Sequence, residues 1–185
     1  MADTAIDTLV RDVGRTSDHE LLVGLYDAEI RYMDAQLARV FEELKKEELW
    51  EDSWIIVTAD HGEMLGEKGA YNHGLDSLTE GEIHIPMIIK PPLSGSKTGI
   101  EVGRRNDFVQ QVDLLPLLLT ELSFEVPKEV QGVIPGRRKK PVVAALGPSH
   151  PGLGLLQALV QDHEKILVRE DSTCLLYTSP SPRDS

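Results

Sequence analysis

The sequence predicts an α/β domain that ends in a small antiparallel sheet, and three patterns carry that expectation. A long amphipathic stretch leads into a short, wholly apolar, β-branched run. A glycine-rich segment then separates this run from a second one of the same kind. The last part alternates strand-like runs with turns. The 185 residues, 41% of them hydrophobic, are the size of one domain and enough to bury a core without disulfides or a structural metal.

Charge narrows the partners. Nineteen Lys plus Arg stand against 31 Asp plus Glu, a formal net charge of −12. The summed field repels polyanions, so nucleic acid is not an expected partner. A small anionic substrate would need a local metal or cation to overcome that field. The one cysteine, Cys174, excludes an internal disulfide framework and a multi-cysteine zinc site. The opening MADTAIDTLVRDVGR has neither a basic n-region nor an apolar h-region, and the apolar run around Leu117, Leu118 and Leu119 is short. No signal peptide or membrane span is expected.

Taken in order, Ser17-Asp18-His19-Glu20 has the form of a capping box. The apolar positions after it are Leu22, Tyr26, Ile30, Met33, Leu37, Val40 and Leu44, which predict an amphipathic helix of about eight turns. Glu42, Glu43, Lys45, Lys46, Glu47 and Glu48 read as a solvated face with intrahelical ion pairs. Residues 54–59 (Trp-Ile-Ile-Val-Thr-Ala) lack alternation, which predicts a strand buried on both faces in a parallel sheet covered by helices. The run stops at Asp60-His61-Gly62-Glu63. A second strand is expected at 85–90, with Pro86 at its start or at a sheet edge because proline donates no ladder hydrogen bond. The long loop between them, with Gly62, Gly66, Gly69, Gly74 and Gly81, reads as functional.

Residues 93–106 read as a surface loop. Asp113 is the expected N-cap of an apolar helix reaching about Leu122, with Pro116 in its first turn. Arg137, Arg138, Lys139 and Lys140 read as a solvated connector. Strands are expected at 141–146, 155–160 and 165–168. The composition changes abruptly near the end, so residues 174–185 read as a non-native tail, and Cys174 at its junction is assigned no role. The expected organisation is a poorly defined segment over 1–16, an α/β part over 17–135, a small β subdomain over 136–173, and the tail over 174–185.

In open α/β sheets ligands bind beyond the carboxyl ends of the strands, where Asp60 and His61 stand. A carboxylate oxygen and an imidazole nitrogen are both ligands of divalent metals, and a turn at Gly62 lets neighbouring residues reach one ion. By themselves the two residues are weak evidence, since Asp and Gly are common turn residues. His73 and Lys68 lie in the loop that follows, where either could bind an anionic group or transfer a proton; exposed loop side chains are the other reading. Glu63 could orient His61 from behind or be a solvated acid. His19, His84, His150 and His163 read as structural or surface residues. Gly-x-Ser-x-Gly, the P-loop, His-Glu-x-x-His and the dinucleotide glycine fingerprint are all absent from the sequence.

One ordered set of motifs resembles a known family. Tyr26-Asp27-Ala28-Glu29-Ile30-Arg31-Tyr32-Met33-Asp34 is followed by Ile56-Val57-Thr58-Ala59-Asp60-His61-Gly62-Glu63-Met64-Leu65-Gly66-Glu67 and by Ile83-His84-Ile85-Pro86-Met87-Ile88-Ile89. Val112-Asp113-Leu114-Leu115-Pro116 and Val130-Gln131-Gly132 come after them in order. Together, from about residue 17 to 170, they resemble the sulfatase family of the alkaline phosphatase superfamily.

The resemblance implies a partial alkaline-phosphatase-like α/β/α sandwich with a small C-terminal antiparallel sheet. It also implies a hydrolase of small, anionic sulfate esters with a divalent cation, calcium foremost and magnesium, manganese or zinc as alternatives. Asp60 and His61 match the second pair of metal ligands in the family. His73 falls where many members place a sulfate-holding lysine, and Lys68 where many place a histidine. The family's nucleophile is a formylglycine made from Cys or Ser in a Cys/Ser-x-Pro-x-Arg motif, and its metal site also takes acidic ligands from near the N-terminus. Neither occurs in these residues; Ser179-Pro180-Ser181-Pro182-Arg183 has its prolines in other places. The expectation is a C-terminal part of a sulfatase that does not begin at its native start, holds half the metal site and is inactive alone. A phosphate or phosphonate ester hydrolase of the same superfamily and a non-catalytic binding or structural half-domain are the alternatives. Family members are often exported, and the compartment of this chain is left open.

Overall fold

The computed structural model describes residues 16–73, 78–139, 141–146, 155–161, 164–169 and 174–178. Two compact units are present, one of Met1–Leu75 with Thr79–Pro92, the other of Asp76–Leu78 with Leu93–Ser185. In the second unit the loop and helix after Leu93 are tied to the residues that follow: Gln110 Nε2 donates to Val143 O, and the Asp113 carboxylate meets Arg138.

In the first unit, α1 (Thr16–Lys46) runs for 31 residues, about 46 Å at the usual rise. Lys45 pairs with Glu42 at 2.8 Å and Lys46 with Glu43 at 3.2 Å, as the charge spacing predicts. The apolar stripe is another matter. Leu22 is buried, whereas Ile30, Met33 and Val40 are 54%, 58% and 53% exposed. A four-residue strand is only about 13 Å long, so the short strands of this unit cannot cover the whole helix.

β1 (Ile55–Thr58) pairs antiparallel with β4 (Met87–Lys90), Ile55 opposite Lys90 and Thr58 opposite Met87. The expected parallel pairing does not occur among the described residues, and Ile55, Ile56 and Val57 are half-buried. β4 begins directly after Pro86, as the missing proline N–H requires. Lys90 anchors it: Nζ donates to the carbonyls of Trp50 and Ser53 and lies 5.0 Å from the centre of the Trp50 ring. Trp50 in turn meets Phe41 edge-on at 5.3 Å.

β2 (Met64–Leu65) and β3 (Tyr71–Asn72) form a hairpin around a 3-10 turn at Glu67–Gly69. α2 (Glu80–Ile83) follows, opened by a Thr79–Glu82 capping box.

In the second unit, a 3-10 turn at Gln111–Asp113 leads into α3 (Leu114–Glu121), with Leu117 fully buried. Asp113 stands at the expected N-cap position but makes no side-chain bond to that helix. Its carboxylate accepts from Gln110 N at 2.9 Å and Val133 N at 2.8 Å, and pairs with Arg138. Arg138, expected on a solvated connector, is therefore a buried ion-pair partner.

Four strands make the antiparallel sheet, in the order β5 (Val142–Leu146), β6 (Leu156–Gln161), β7 (Glu164–Arg169) and β8 (Cys174–Thr178). Leu156, Ala158 and Val160 are buried and the residues between them are not, which is the two-residue period of a strand with one covered face. Within the segment read as a tail, Cys174–Thr178 adds to the open edge of β7, whose backbone groups would otherwise lack sheet partners. His150, His163 and residues 179–185 lie outside the described residues. No helix among the described residues is long and apolar enough to cross a membrane.

Candidate functional site

β1 ends at Thr58 and delivers Asp60 and His61 to the turn beyond it. That turn is closed from the far side by Gly62 N, which donates to Glu82 O at 2.7 Å. A Cβ on Gly62 would sit 1.9 Å from the Gly81 carbonyl oxygen, so only glycine lets the two backbones approach this closely.

Within the turn, His61 N donates to Asp60 Oδ1 at 3.0 Å. This bond, then that of the residue's own amide and the nearby imidazole, lowers the Asp60 carboxyl below its usual range. His61 Nδ1 lies 2.9 Å from Gly62 O. A carbonyl oxygen only accepts, so Nδ1 carries a proton, and in the neutral ring the lone pair is on Nε2. That is the arrangement of a metal-binding histidine steadied by a backbone carbonyl. Nε2 stands 3.8 Å from Asp60 Oδ2.

The β2–β3 hairpin brings in the other residues. Met64 lies opposite Asn72, so the next pair outward is Glu63 and His73. Their side chains meet, His73 Nδ1 lying 3.0 Å from Glu63 Oε2. Glu63, which the sequence leaves open between orienting His61 and being a solvated acid, is placed by the hairpin register on His73. The two imidazoles lie side by side, centroids 4.0 Å apart at 37°. Asn72 is left-handed at φ 73, a conformation asparagine tolerates, and its Oδ1 accepts from His73 N at 2.9 Å. Lys68 lies in the 3-10 turn, and its side chain is outside the described residues.

The structure thus gathers Asp60, His61, Glu63 and His73. Among the described residues no three His, Cys, Asp or Glu side chains are placed to hold a metal ion together. Asp60 and His61 can supply two ligands. Ligands bound to one cation at about 2.0–2.6 Å lie within about 5 Å of each other, and the 3.8 Å spacing falls inside that limit.

Comparison with known proteins identifies relatives. The Sulfatase family model matches residues 8–122. The uncharacterized sulfatase YidJ of Escherichia coli is 32% identical over 108 residues, covering 58% of this chain and 20% of that protein. The choline-sulfatase of Rhizobium meliloti is 26% identical over 159 residues, covering 85% of this chain and 29% of that protein. The chain therefore spans less than a third of the length of these relatives. The crystal structure of the phosphonate monoester hydrolase of Agrobacterium radiobacter superposes with a TM-score of 0.74 at 22% identity, over 89% of this chain and 36% of that one. The shared fold bears out the partial alkaline-phosphatase-like α/β class. Because the family model covers more than half of the residues, from α1 through α3, the chain belongs to the sulfatase family.

Proposed function

We propose that this chain supplies one side of a divalent-cation site in a hydrolase of small, anionic, sulfated esters. The observation that carries the reading is the donor pair at the end of β1: a carboxylate held anionic, 3.8 Å from an imidazole Nε2 whose other nitrogen is committed to Gly62 O. Calcium is the cation implied by the family, and an imidazole ligand also suits manganese or zinc. A bound cation would polarise the ester and carry charge off the transferring group. Asp60 and His61 would hold it, while His73 would move a proton at the substrate and Lys68, in the same loop, would meet its anionic oxygens. The nucleophile, a formylglycine by family resemblance, lies outside these residues, so the chain alone is inactive.

Isothermal titration of the chain with calcium, manganese and zinc tests this. Binding of at least one ion should weaken tenfold or more in Asp60→Ala and His61→Ala, by about the factor lost when a metal site is disturbed. Binding that is unchanged in both variants overturns the assignment. A phosphate or phosphonate ester hydrolase is the second reading, favoured by an imidazole at position 73 where many sulfatases carry an ammonium. Competition between inorganic sulfate and inorganic phosphate for the cation-loaded chain separates the two.

A further inference from the structure

We infer that Glu63 is the positioning residue of His73: its carboxylate accepts the hydrogen bond from Nδ1–H, so that the neutral ring keeps its lone pair on Nε2. The inference rests on the reading of this cluster as the functional site. His73 stands where many family members carry a lysine, and the tautomer of its neutral ring decides which nitrogen can accept a hydrogen bond.

Three observations carry it. The Nδ1 to Oε2 distance is 3.0 Å, and an ionised carboxylate can only accept, so the proton belongs to Nδ1. The second Glu63 oxygen, Oε1, is buried and has no hydrogen-bond partner among the described residues, while the side chain as a whole is 26% exposed. A half-dehydrated carboxylate with so little other compensation holds its donor strongly, since losing the bond would leave both oxygens unsatisfied. The backbone that carries the ring is also held, because Asn72 Oδ1 accepts from His73 N and β3 holds Asn72 opposite Met64.

The consequence is a matched pair of rings. His61 carries its proton on Nδ1 through Gly62 O, His73 carries its own on Nδ1 through Glu63, and the rings lie 4.0 Å apart. In the neutral rings each lone pair is then on Nε2, where an imidazole can bind a cation or accept a hydrogen bond from a water or hydroxyl.

Long-range proton–nitrogen spectra of the histidine side chains, recorded on the metal-free chain at a pH where imidazole is neutral, test the inference. Wild type should show His73 with a pyrrole-like Nδ1 and a pyridine-like Nε2. Glu63→Gln, whose amide oxygen still accepts, should keep that pattern, and Glu63→Ala should shift the tautomer ratio about tenfold or more toward Nε2–H. His61, bonded to Gly62, is the internal control and should not change. A wild-type His73 protonated on Nε2, or a ratio unmoved in Glu63→Ala, overturns the inference. Should Glu63→Ala fail to fold, reported by loss of the His61 signature, the wild-type and Glu63→Gln spectra decide by themselves. Because no metal is present, a failed cation titration and a failed tautomer assignment are separate results.

Discussion

Asp113 and Arg138, 25 residues apart in the chain, form a buried ion pair in the second unit. Asp113 is fully buried and Arg138 is 11% exposed, so both charges have left most of their water. The carboxylate compensates by accepting from two backbone amides as well, Gln110 N and Val133 N. One side chain therefore joins the start of α3, the segment after Gly132 and the basic connector. Gly132 permits this closure: a Cβ there would lie 2.0 Å from Val112 O.

Removing one partner of such a pair is costly because the other charge stays buried. Asp113→Ala should lower the stability of the chain by about 3–5 kcal/mol, and Arg138→Met, which leaves the carboxylate its two amide donors, by less. Urea denaturation midpoints measure both. A loss under about 1 kcal/mol for Asp113→Ala would place the pair among the weak surface contacts.

Glu121 gives an acid-sensitive anchor. It is buried at 5% exposure, and burial alone pushes its carboxyl up. The hydroxyls of Ser96 and Thr98 and the amides of Thr98 and Lys97 outweigh that and bring it from 4.5 down to about 2. A depressed folded-state value means stability that is complete above the unfolded value and is lost as pH falls from 4.5 through about 2. The amount is roughly 3 kcal/mol at neutral pH. Thermal midpoints followed from pH 7 downward should drop in that window for wild type, and Glu121→Gln should start lower and drop less. Parallel curves for the two proteins would remove Glu121 from the acid transition.

Much of this architecture follows from local pattern. The apolar spacing from Leu22 to Leu44 places α1, Pro86 marks the start of β4, and the run at 155–160 overlaps β6. What escapes local reading depends on distant partners. Trp54 to Ala59 reads as doubly buried, but burial is set by the elements that cover a strand, and its one described neighbour is the antiparallel β4. Asp113 looks like a helix cap until Val133 and Arg138, 20 and 25 residues downstream, arrive at its oxygens. Cys174–Thr178 carries no periodic signal and pairs through its backbone. At the site, Asp60 and His61 are legible because they share one turn. Glu63 and His73, ten residues apart, meet only through the register of a two-residue hairpin.

Two glycines should respond in opposite directions to the same substitution. Gly24 lies inside α1, exposed, and a methyl group added there would meet nothing within 4 Å. Alanine at this position reduces the entropy lost on folding and should raise stability by about 0.5–1 kcal/mol. Gly62→Ala drives a methyl group onto the Gly81 carbonyl at 1.9 Å, and neither backbone can yield without breaking the Gly62 N to Glu82 O bond that closes the site turn. A loss of about 2 kcal/mol or more is expected, together with weaker cation binding, because the displaced turn is the one that sets Asp60 against His61. Urea midpoints and cation titrations on both variants check the contrast. Unchanged cation affinity in a folded Gly62→Ala would mean that the donor pair does not depend on the close approach of Gly62 to Gly81.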